Sequence, residues 1–544
     1  MHEPFGTRTL LLSCLGLAAC GGAGDNPLAT ERGPQAITDE RAGHGLPPIR
    51  PGQYPGGAGT PSQHRGSGPS GSWTTMPTTP PTVAAGFSIL LTDGSVMVQD
   101  LAVLGGDWWR LRPDAHGNYL NGSWTQLPSM PGGYAPLYFA SAVLADGRVI
   151  FVGGEYQAFT PAWQTQGAIF DPVSEQWTLL DGPPGWQTVG DAQSVVLADG
   201  RFILANCCTT EMAVLDPATL TWSSITSDGK VDIFDEEGWT LLPNGKVLTT
   251  DSNNFANLTN SEIYTPPSAG VVGGWQSAGS TIVQIADTNA DGSGSWEVGP
   301  AMLRPDGTVF QTGGTGHTAI YDVRRGSWRA GPDFPAIAGE GQLTQADGPA
   351  ALLPNGNVLV AASPGVFNVP AHFLEFDGHN LFEVDRPADA VVDSSFNINL
   401  LLLPTGEVLE TDFSADVEIY SMITRSDVES PEYAPSIENP GELRNMQRGG
   451  SYRFRGIRLH GISSGVSYGD DAQAATNYPL IKIRNRATGH VTYARTHGFS
   501  NFSIHPQARS EAWMDIPANI ETGDSDLVAI VNGIHSHPVR TRIR

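Results

Sequence analysis

Short apolar runs meet tight-turn residues at regular intervals along most of this chain. Both central residues of a type I′ turn need positive φ, which Asp, Asn and Gly tolerate, so an Asp-Gly or Asn-Gly pair between apolar runs predicts a β-hairpin. Seven such turns occur, the last with Thr in place of Asp or Asn: Asp93-Gly94, Asp146-Gly147, Asp199-Gly200, Asn244-Gly245, Asp306-Gly307, Asn355-Gly356 and Thr405-Gly406.

A second pattern lies between these hairpins. An aromatic or aliphatic strand ends in Asp-Pro or Thr-Pro, or in Asp alone, and a Trp follows it, as at Phe170 with Trp177, Leu215 with Trp222, Tyr264 with Trp275 and Tyr321 with Trp328. Four strands per unit, repeated about every 45 to 60 residues, are typical of a kelch-type propeller blade. The sequence therefore predicts an all-β protein with a seven-bladed kelch-type β-propeller over residues 71–428.

The two ends of this repeat complement each other. The seventh unit ends at Tyr420 without a following Trp strand, whereas Trp73 precedes the first hairpin in a segment that resembles the one around Trp124. We expect the strand around Trp73 to complete the last blade, because closing the ring in this way removes two exposed sheet edges.

The repeat stops near Pro431, and shorter alternating runs follow, such as Tyr452-Arg453-Phe454-Arg455 and Leu527-Val528-Ala529-Ile530-Val531. Strands of this length and alternation predict an immunoglobulin-like β-sandwich of about seven strands over residues 429–544. We expect this second domain to cover one face of the propeller.

Charge and cysteine content narrow the class of protein. The 544 residues carry a net charge of −26, which repels a polyanion, so we expect no nucleic-acid partner. Only four cysteines are present, so no disulfide framework holds the fold. Cys207 and Cys208 are adjacent and could form a vicinal disulfide or remain two buried thiols. We do not expect them at the active site.

The N-terminal residues 1–20 predict an export signal, with Arg8 followed by an apolar run too short to span a bilayer. Leu17-Ala18-Ala19-Cys20-Gly21 resembles a bacterial lipobox, which implies lipidation of Cys20; an ordinary cleaved signal is the alternative. Residues 21–70, rich in Gly, Pro, Ser and Gln, predict a flexible tether. We expect an exported monomer of the cell envelope, at the outer membrane or cell surface, that contacts the membrane only through its lipid.

Two segments of the body carry a family resemblance. The run from Tyr138 through Asp146-Gly147 to Gly153-Gly154, and the stretch Ser467-Tyr468-Gly469-Asp470-Asp471, are similar to galactose oxidase and glyoxal oxidase. The resemblance spans roughly residues 73–544 and implies a propeller followed by an early-set domain. It also implies a copper site of two tyrosines and two histidines, with a cysteine cross-linked to one tyrosine.

Most of that copper site has no counterpart here. Tyr138 stands where the cross-linked tyrosine belongs, but Ala85 occupies the position of the cysteine. Phe396-Asn397 replaces the Tyr-His pair, and Tyr468 replaces the histidine of the C-terminal domain. One matching ligand cannot build this centre, so we expect no copper.

The offset of Tyr138, eight residues before its turn residue, marks one level of every blade, and the resemblance places that level at the mouth of the central channel. Around the ring it selects Ala85, Tyr138, Asp191, Glu236, Glu297 (one residue earlier), Asp347 and Asn397. Asp235 and Glu237 flank this level, and the resemblance brings the loop of Tyr468, Asp470 and Asp471 to the same mouth. We take these nine residues as ligand-binding candidates: Tyr138, Asp191, Glu236, Glu297, Asp347, Asn397, Tyr468, Asp470 and Asp471.

Converging acids without Lys or Arg should bind a cation or stay partly protonated. A divalent ion such as Ca²⁺ at Asp191, Glu236, Glu297 and Asp347 is one interpretation, and acid/base chemistry on a glycan is another. A third is that these acids only cap strands. Three functions remain open: binding or processing of an extracellular carbohydrate or small polar ligand, a non-catalytic surface scaffold, and a copper oxidase with altered ligands.

Overall fold

The computed structural model describes residues 71–80, 83–422 and 433–544, and regular structure there is almost entirely β-strand. Two 3₁₀ turns, Pro131–Gly133 and Ser395–Asn397, are the helical segments of this described part. No helix within it is long and apolar enough to cross a membrane. Cys20 and residues 21–70 lie outside the described residues, so the predicted lipidation and tether stay predictions.

Seven antiparallel four-stranded units follow one another along the chain, and we call them blades 1 to 7. The strands of blades 1 to 4 are Ala85–Leu90, Val96–Asp100, Asp107–Arg112, Ser123–Leu127; Ala140–Val143, Val149–Val152, Gly167–Asp171, Gln176–Leu180; Ser194–Val196, Phe202–Ala205, Met212–Asp216, Thr221–Ile225; and Thr240–Leu241, Val247–Thr250, Asn260–Thr265, Gly274–Ser280. Those of blades 5 to 7 are Val298–Leu303, Thr308–Gly313, Ala319–Asp322, Ser327–Ala330; Ala350–Leu352, Val358–Pro364, His372–Phe376, Leu381–Val384; and Asn399–Leu402, Val408–Thr411, Glu418–Met422, Gly71–Thr75.

The first strand of each blade contacts the first strand of the next around a ring, apart from blades 1 and 2, where Phe87 and Phe139 make the contact with ring centroids 5.1 Å apart. Blade 7 returns to blade 1 through the same kind of contact. The all-β propeller predicted from the turn pattern is therefore confirmed. Short additional strands are Pro136–Leu137, Tyr156–Gln157, Thr160–Pro161, Ala336–Ile337 and Gly341–Thr344.

The N-terminal strand closes the ring. Gly71–Thr75 pairs antiparallel with Glu418–Met422, and Trp73 lies opposite Tyr420. The prediction that the segment around Trp73 completes the last blade is confirmed. This pairing covers the edge that blade 7 would otherwise expose.

The Trp that recurs on the outer strands, in every blade except blade 6, has a structural reason. The indole N–H of Trp177 donates to the Pro128 carbonyl at 2.7 Å, and that of Trp222 to the Asp181 carbonyl at 2.9 Å, so each Trp ties its blade to the preceding one. Trp73 does the same in blade 7, where its indole donates to the Asp385 carbonyl at 2.6 Å. Trp73 is thus equivalent to the Trp of the other outer strands.

The chain after residue 433 is also antiparallel β, with one parallel pair. The Val491–His497 strand pairs with Leu480–Asn485 through its first half and with Arg509–Asp515 through its second, so it joins two groups of strands. The immunoglobulin-like class of this region and the domain boundaries stay predictions. The strands are Ser436–Ile437, Asn445–Met446, Ser451–Ile457, Val466–Ser467, Leu480–Asn485, Val491–His497, Arg509–Asp515, Gly523–Val531, Ile534–His535 and Val539–Ile543.

This C-terminal region packs directly on the propeller. Val466–Ser467 adds a strand to blade 6 beside Ala350 and Ala351. The buried hydroxyl of Tyr478 donates to the Leu90 carbonyl in blade 1. Because one continuous apolar core includes residues of both regions, the loop between Ser467 and Tyr478 is held in a fixed place over the ring.

Candidate functional site: a buried acidic cluster

Five of the predicted acids come together at one end of the ring. Asp191, Glu236, Glu297 and Asp347 each lie one to four residues before the first strand of their blade. Since those first strands lie side by side around the axis, the residues before them gather at the same end of the channel. Asp470 reaches the group from the C-terminal region. We call these five residues the axial cluster.

Their carboxylates are close enough to share an ion. One oxygen each from Asp191, Glu236 and Asp470 lie within 4.8 Å of one another, and so do oxygens of Glu236, Glu297 and Asp347. Glu236 belongs to both groups and connects them. The geometry therefore forms a continuous row of carboxylates from blade 3 to blade 6.

The cluster is buried and lacks donors. Glu297 is 1% exposed, and neither of its carboxylate oxygens has a hydrogen-bond partner within the described residues. One oxygen each of Asp191 and Asp470 is also without a partner there. Glu297 can hydrogen-bond with Glu236 or Asp347 only when a proton sits between the carboxylates, because an ionised carboxylate is an acceptor only.

Burial is the main cause of the altered acidity. It raises the pKa of Glu297 well above the ordinary 4.5, and the neighbouring Asp347 charge adds to the rise. Burial likewise raises the pKa of Asp191 and Glu236, with further contributions from Asp235 and Glu297 respectively. The pKa of Asp347 rises to about 7 for the same reason. No Lys or Arg in the described part of the chain forms an ion pair with these acids, so the cluster requires protons or a cation.

The backbone at this level is strained in three blades. Tyr138, Glu236 and Asp347 occupy equivalent positions and have φ of 50°, 57° and 49°. Non-glycine residues rarely adopt this left-handed conformation, which costs about 1–3 kcal/mol and concentrates at functional sites. The surrounding structure thus holds Glu236 and Asp347 in place at an energetic cost.

The loop around Tyr468 covers the cluster, as the resemblance implied. The Tyr468 hydroxyl donates to the Phe396 carbonyl at 2.6 Å, and the Ala472 amide donates to the Phe139 carbonyl at 3.0 Å. Gly469 lies so close to Asp347 that a Cβ there would sit 2.4 Å from a carboxylate oxygen. A side chain at this position would collide with the Asp347 carboxylate, so glycine lets the loop pass directly over the acids.

Not every predicted residue joins the cluster. Asp471 is buried beside it, and burial, followed by the Asp347 charge, raises its pKa. Tyr138 and Tyr468 instead line a small adjacent pocket, together with Phe87 and Phe413. The structure does not bring Asn397 into the cluster, because its side-chain oxygen accepts the Ser394 amide in a cap of its own 3₁₀ turn.

Glu237 was expected to add to the acidic mouth, and this expectation is wrong. Its side chain faces into blade 4, where the Lys230 ammonium lies 2.9 Å from one carboxylate oxygen. Lys230 also pairs with Asp232 and lies 2.7 Å from Glu262. We call these four residues the lysine cluster. Glu236 has a left-handed φ of 57° in the turn before the first strand of blade 4, and its side chain and that of Glu237 lie in different environments.

Sequence reasoning missed Glu155. It is 5% exposed, and burial, followed by the charges of Asp191 and Asp471, raises its pKa, which places it beside the axial cluster. Its signal was its position directly after the Gly153-Gly154 pair of blade 2. Cys207 and Cys208 form a vicinal disulfide. Cys207 packs against Gly190, the residue before Asp191, and the expectation that the two cysteines lie outside the active site stays a prediction.

Copper does not fit the residues at the family's ligand positions. Ala85 has no sulfur, the Asn397 side chain caps a turn, and the Tyr468 hydroxyl is bonded to a backbone carbonyl. The candidate metal groups in the described part of the chain consist entirely of carboxylates. Oxygen-only ligands suit hard ions such as Ca²⁺, Mg²⁺ or Mn²⁺ rather than copper.

Comparison with known proteins gives this chain a partial match to one curated protein and no family. No family model matches it. A kelch-like protein, terF, of Aspergillus terreus is 29% identical over 135 residues, or 23% of this chain and 26% of that protein. The chain thus spans about a quarter of the length of the curated relative it matches.

Two solved structures have a similar fold. A fungal alcohol oxidase of the AA5 family, in complex with copper, matches over 87% of this chain and 99% of its own, with 14% identity and a TM-score of 0.48. A streptogramin B lyase matches over 65% of this chain and 98% of its own, with 10% identity and a TM-score of 0.45. The strand pairing defines the class of the protein as a β-propeller, and the partial match to a kelch-like protein agrees with blades of the kelch type.

Proposed function

We propose that this chain is a galactose oxidase-like propeller without oxidase chemistry, which binds a hard divalent cation, Ca²⁺ above all, in the axial cluster. One observation carries the proposal. Glu297 is almost fully buried between Glu236 and Asp347, and both its carboxylate oxygens lack a hydrogen-bond partner within the described residues. A buried carboxylate in that state needs a counter-charge, and Ca²⁺ takes six to eight oxygen ligands.

A bound cation fits the geometry of the axial cluster better than acid/base catalysis on a glycan does. A glycosidase places its two carboxyl groups on either side of the scissile bond, with access for a sugar. Here Gly469 lies directly against Asp347, and the Tyr468 loop covers the acids. A small ion fits beneath this loop, whereas a sugar ring would have to displace it.

The extracellular ligand of this protein, a carbohydrate or another small polar molecule, would bind beside the cation. The pocket next to the axial cluster is lined by Tyr138, Tyr468, Phe87 and the polar Asn399. Aromatic side chains with a few polar groups suit the apolar face and the hydroxyls of a sugar. The enclosed space has room for only about one water, so a sugar would bind here only when the Tyr468 loop moves outward. The cation would act by setting how far this loop can move.

A non-catalytic surface scaffold is the second candidate. The burial of the axial cluster favours it, since a cation held beneath the loop without access for a ligand would be purely structural. A glycan array separates the two functions: calcium-dependent binding of a defined glycan supports the first, and the absence of any glycan signal from the folded, calcium-loaded protein supports the second.

Export and lipid anchoring complete the proposal, on the strength of the apolar run before Cys20 and the small residues around it. A Cys20→Ala variant should move from the membrane to the soluble fraction when the full chain is expressed in a bacterium that lipidates exported proteins. If this variant stays in the membrane fraction with its tether intact, the anchor is not at Cys20.

Thermal unfolding tests the cation. Asp191→Asn and Asp347→Asn should leave the unfolding temperature of the metal-free protein unchanged or raise it, because each removes a repelling charge. Both should show a smaller calcium-induced rise than the wild-type protein, because the axial cluster no longer contributes to it. Asp228→Asn, which changes an exposed carboxylate of blade 4, is the matched control and should behave as wild type.

Two results would contradict the proposal. If these carboxylates only cap strands, each Asn variant loses charge-assisted hydrogen bonds and is destabilised by about 1–3 kcal/mol without calcium. Galactose-dependent peroxide production by copper-loaded protein would overturn the claim that the chain is not an oxidase.

A further inference from the structure

We propose that blade 7 holds a second hard-cation site, of the Ca²⁺ class, which fastens the N-terminal strand into the ring. The site is centred on Asp389. It is separate from the axial cluster and consists of residues that we call the seam cluster: Asp389, Asp393, Glu410, Asp412, Asp416 and Glu418.

Three segments contribute to the seam cluster. Asp389 and Asp393 lie in the connection between the last strand of blade 6 and the first of blade 7. Glu410 belongs to the second strand of blade 7, and Glu418 begins the third. Asp412 lies in the turn between those two strands. A shared ion would therefore tie the inter-blade connection to the hairpin that receives the N-terminal strand.

Asp389 is shared by two groups of ligand oxygens. Oxygens of Asp389, Asp393 and Asp412 lie within 4.8 Å of one another, and so do oxygens of Asp389, Asp416 and Glu418. Both carboxylate oxygens of Asp389 lack a hydrogen-bond partner in the described structure. An aspartate with two open oxygens between two such groups is well placed to be the central ligand.

Two further carboxylates are buried without satisfied oxygens. Glu410 is 1% exposed and Glu418 is 2% exposed, and each has one oxygen without a partner within the described ranges. The carboxylates of Glu410 and Glu418 face each other. Burial raises the pKa of Glu410, and the charges of Asp412 and then Glu418 raise it further. Desolvated acceptors that point at one another require a cation or a proton between them.

Protein cations do not supply this charge. No Lys or Arg of the described residues forms an ion pair with the seam cluster, and the sequence has no Lys or Arg from residue 387 to residue 424. Without a cation, burial and then the charges of Asp412 and Asp389 raise the pKa of Asp393 to about 8. The five carboxylates of the two groups that share Asp389 are oxygen ligands of the kind that Ca²⁺ prefers, and no base lies among them.

The hydrogen bonds of the same hairpin connect this site to ring closure. The Thr75 hydroxyl donates to the Glu418 carboxylate at 3.2 Å, and the Met76 amide donates to the Val417 carbonyl at 2.8 Å. The Ala85 amide, at the start of blade 1, donates to the Ser414 carbonyl at 2.7 Å. An ion that fixes residues 412–418 therefore stabilises both contacts that join the last blade to the N-terminal strand and the first blade.

Calorimetric titration with CaCl₂ tests the site, and the Asp191→Asn variant isolates it from the axial cluster. In that variant calcium binding should persist. Adding Asp389→Asn should weaken the calcium affinity by about tenfold or more, because loss of a residue that only hydrogen-bonds a metal ligand already costs about 10–100-fold. Asp385→Asn, an exposed carboxylate in the same connection, is the matched control and should bind calcium as its parent does. Asp393→Asn replaces Asp389→Asn if circular dichroism shows that the latter is unfolded.

Hydrogen exchange provides the second measurement. Calcium should slow amide exchange in residues 71–76 and 412–418 of the Asp191→Asn variant, and this protection should disappear when Asp389→Asn is added. The proposal is overturned if Asp191→Asn binds no calcium, or if neither Asp389→Asn nor Asp393→Asn weakens binding. Calcium binding that is lost in Asp389→Asn but unchanged in Asp191→Asn would instead support the blade 7 site and reject the axial one.

Discussion

Glu236 and Glu237 are neighbours in sequence and both are buried, yet they belong to two acidic clusters of opposite design. Glu237 lies in the lysine cluster, where Lys230 is fully buried and contacts three carboxylates. Glu236 lies in the axial cluster, where no Lys or Arg of the described residues is paired with the acids. The first cluster carries its counter-charge within the chain, whereas the second must obtain it from solution. Acidic residues alone therefore do not mark a binding site, and a buried acidic cluster without an internal base is the better candidate for one.

Lys230→Met should produce the largest effect, because it leaves Asp232, Glu237 and Glu262 buried without their cation. Burial lowers the pKa of Lys230, but the charges of Glu237 and Asp232 raise it by more. The net shift is upward, so the lysine is charged at neutral pH. We expect a loss of about 3–5 kcal/mol in the free energy of unfolding, measured by chemical denaturation. Lys246→Met in the same blade is the control, and equal losses in both variants would show that the ion pairs contribute little.

The two adjacent glutamates should respond with opposite sign. Glu237→Gln should destabilise the metal-free protein by about 1–3 kcal/mol, because Lys230 and the Thr249 hydroxyl both donate to Glu237. Glu236→Gln should leave stability unchanged or raise it, since it removes repulsion with Glu297. Chemical denaturation in EDTA measures both variants, and losses of the same size would remove the distinction between the clusters.

The stability of the metal-free protein should depend on pH through the axial cluster. The pKa of Asp347 is about 7 in the folded chain against an ordinary 3.8, so the folded state holds the proton more tightly. Stability should fall as pH rises from about 4 to above 7, by about 1–2 kcal/mol for this group after allowance for relaxation. Saturating calcium should remove most of this fall. The same fall in Asp347→Asn would assign it to other groups.

Tyr468→Phe should have the smallest effect. It removes one hydrogen bond, from the Tyr468 hydroxyl to the Phe396 carbonyl, and should cost about 1 kcal/mol. If the Tyr468 loop retains the cation, calcium should also dissociate faster from this variant, which stopped-flow chelation with a fluorescent indicator measures. An unchanged dissociation rate would mean that the loop does not limit escape of the ion.

The fold could be predicted further than the site. The turn pair recurs in every unit and the Trp in all but blade 6, and the Trp indoles bridge neighbouring blades, so the ring and its closure by Trp73 were readable from the sequence. The offset from each turn also placed Asp191, Glu236, Glu297 and Asp347 at one level. The prediction of the ring and the prediction of this level both rest on signals that recur from blade to blade.

What could not be predicted depends on single side chains. Nothing in the repeat shows that Glu237 turns toward Lys230, or that Asn397 caps its own turn. Glu155 lies in the connection between the second and third strands of blade 2, a position that the offset from the turn does not select. The seam cluster did have a signal, the long acidic stretch without Lys or Arg, but its residues meet only because three segments converge on Asp389.

The joint between Gly71–Thr75 and Glu418–Met422 also sets an order of events during biosynthesis. The Gly71 amide donates to the Tyr420 hydroxyl, a partner 349 residues later in the chain. The first strand of the described residues is therefore among the last of them to find its place, and long-range pairing of this kind slows folding. Until Glu418–Met422 has been made, the N-terminal strand remains an open edge that can pair with another chain. Blade 7 is thus the step at which a chaperone would be needed most.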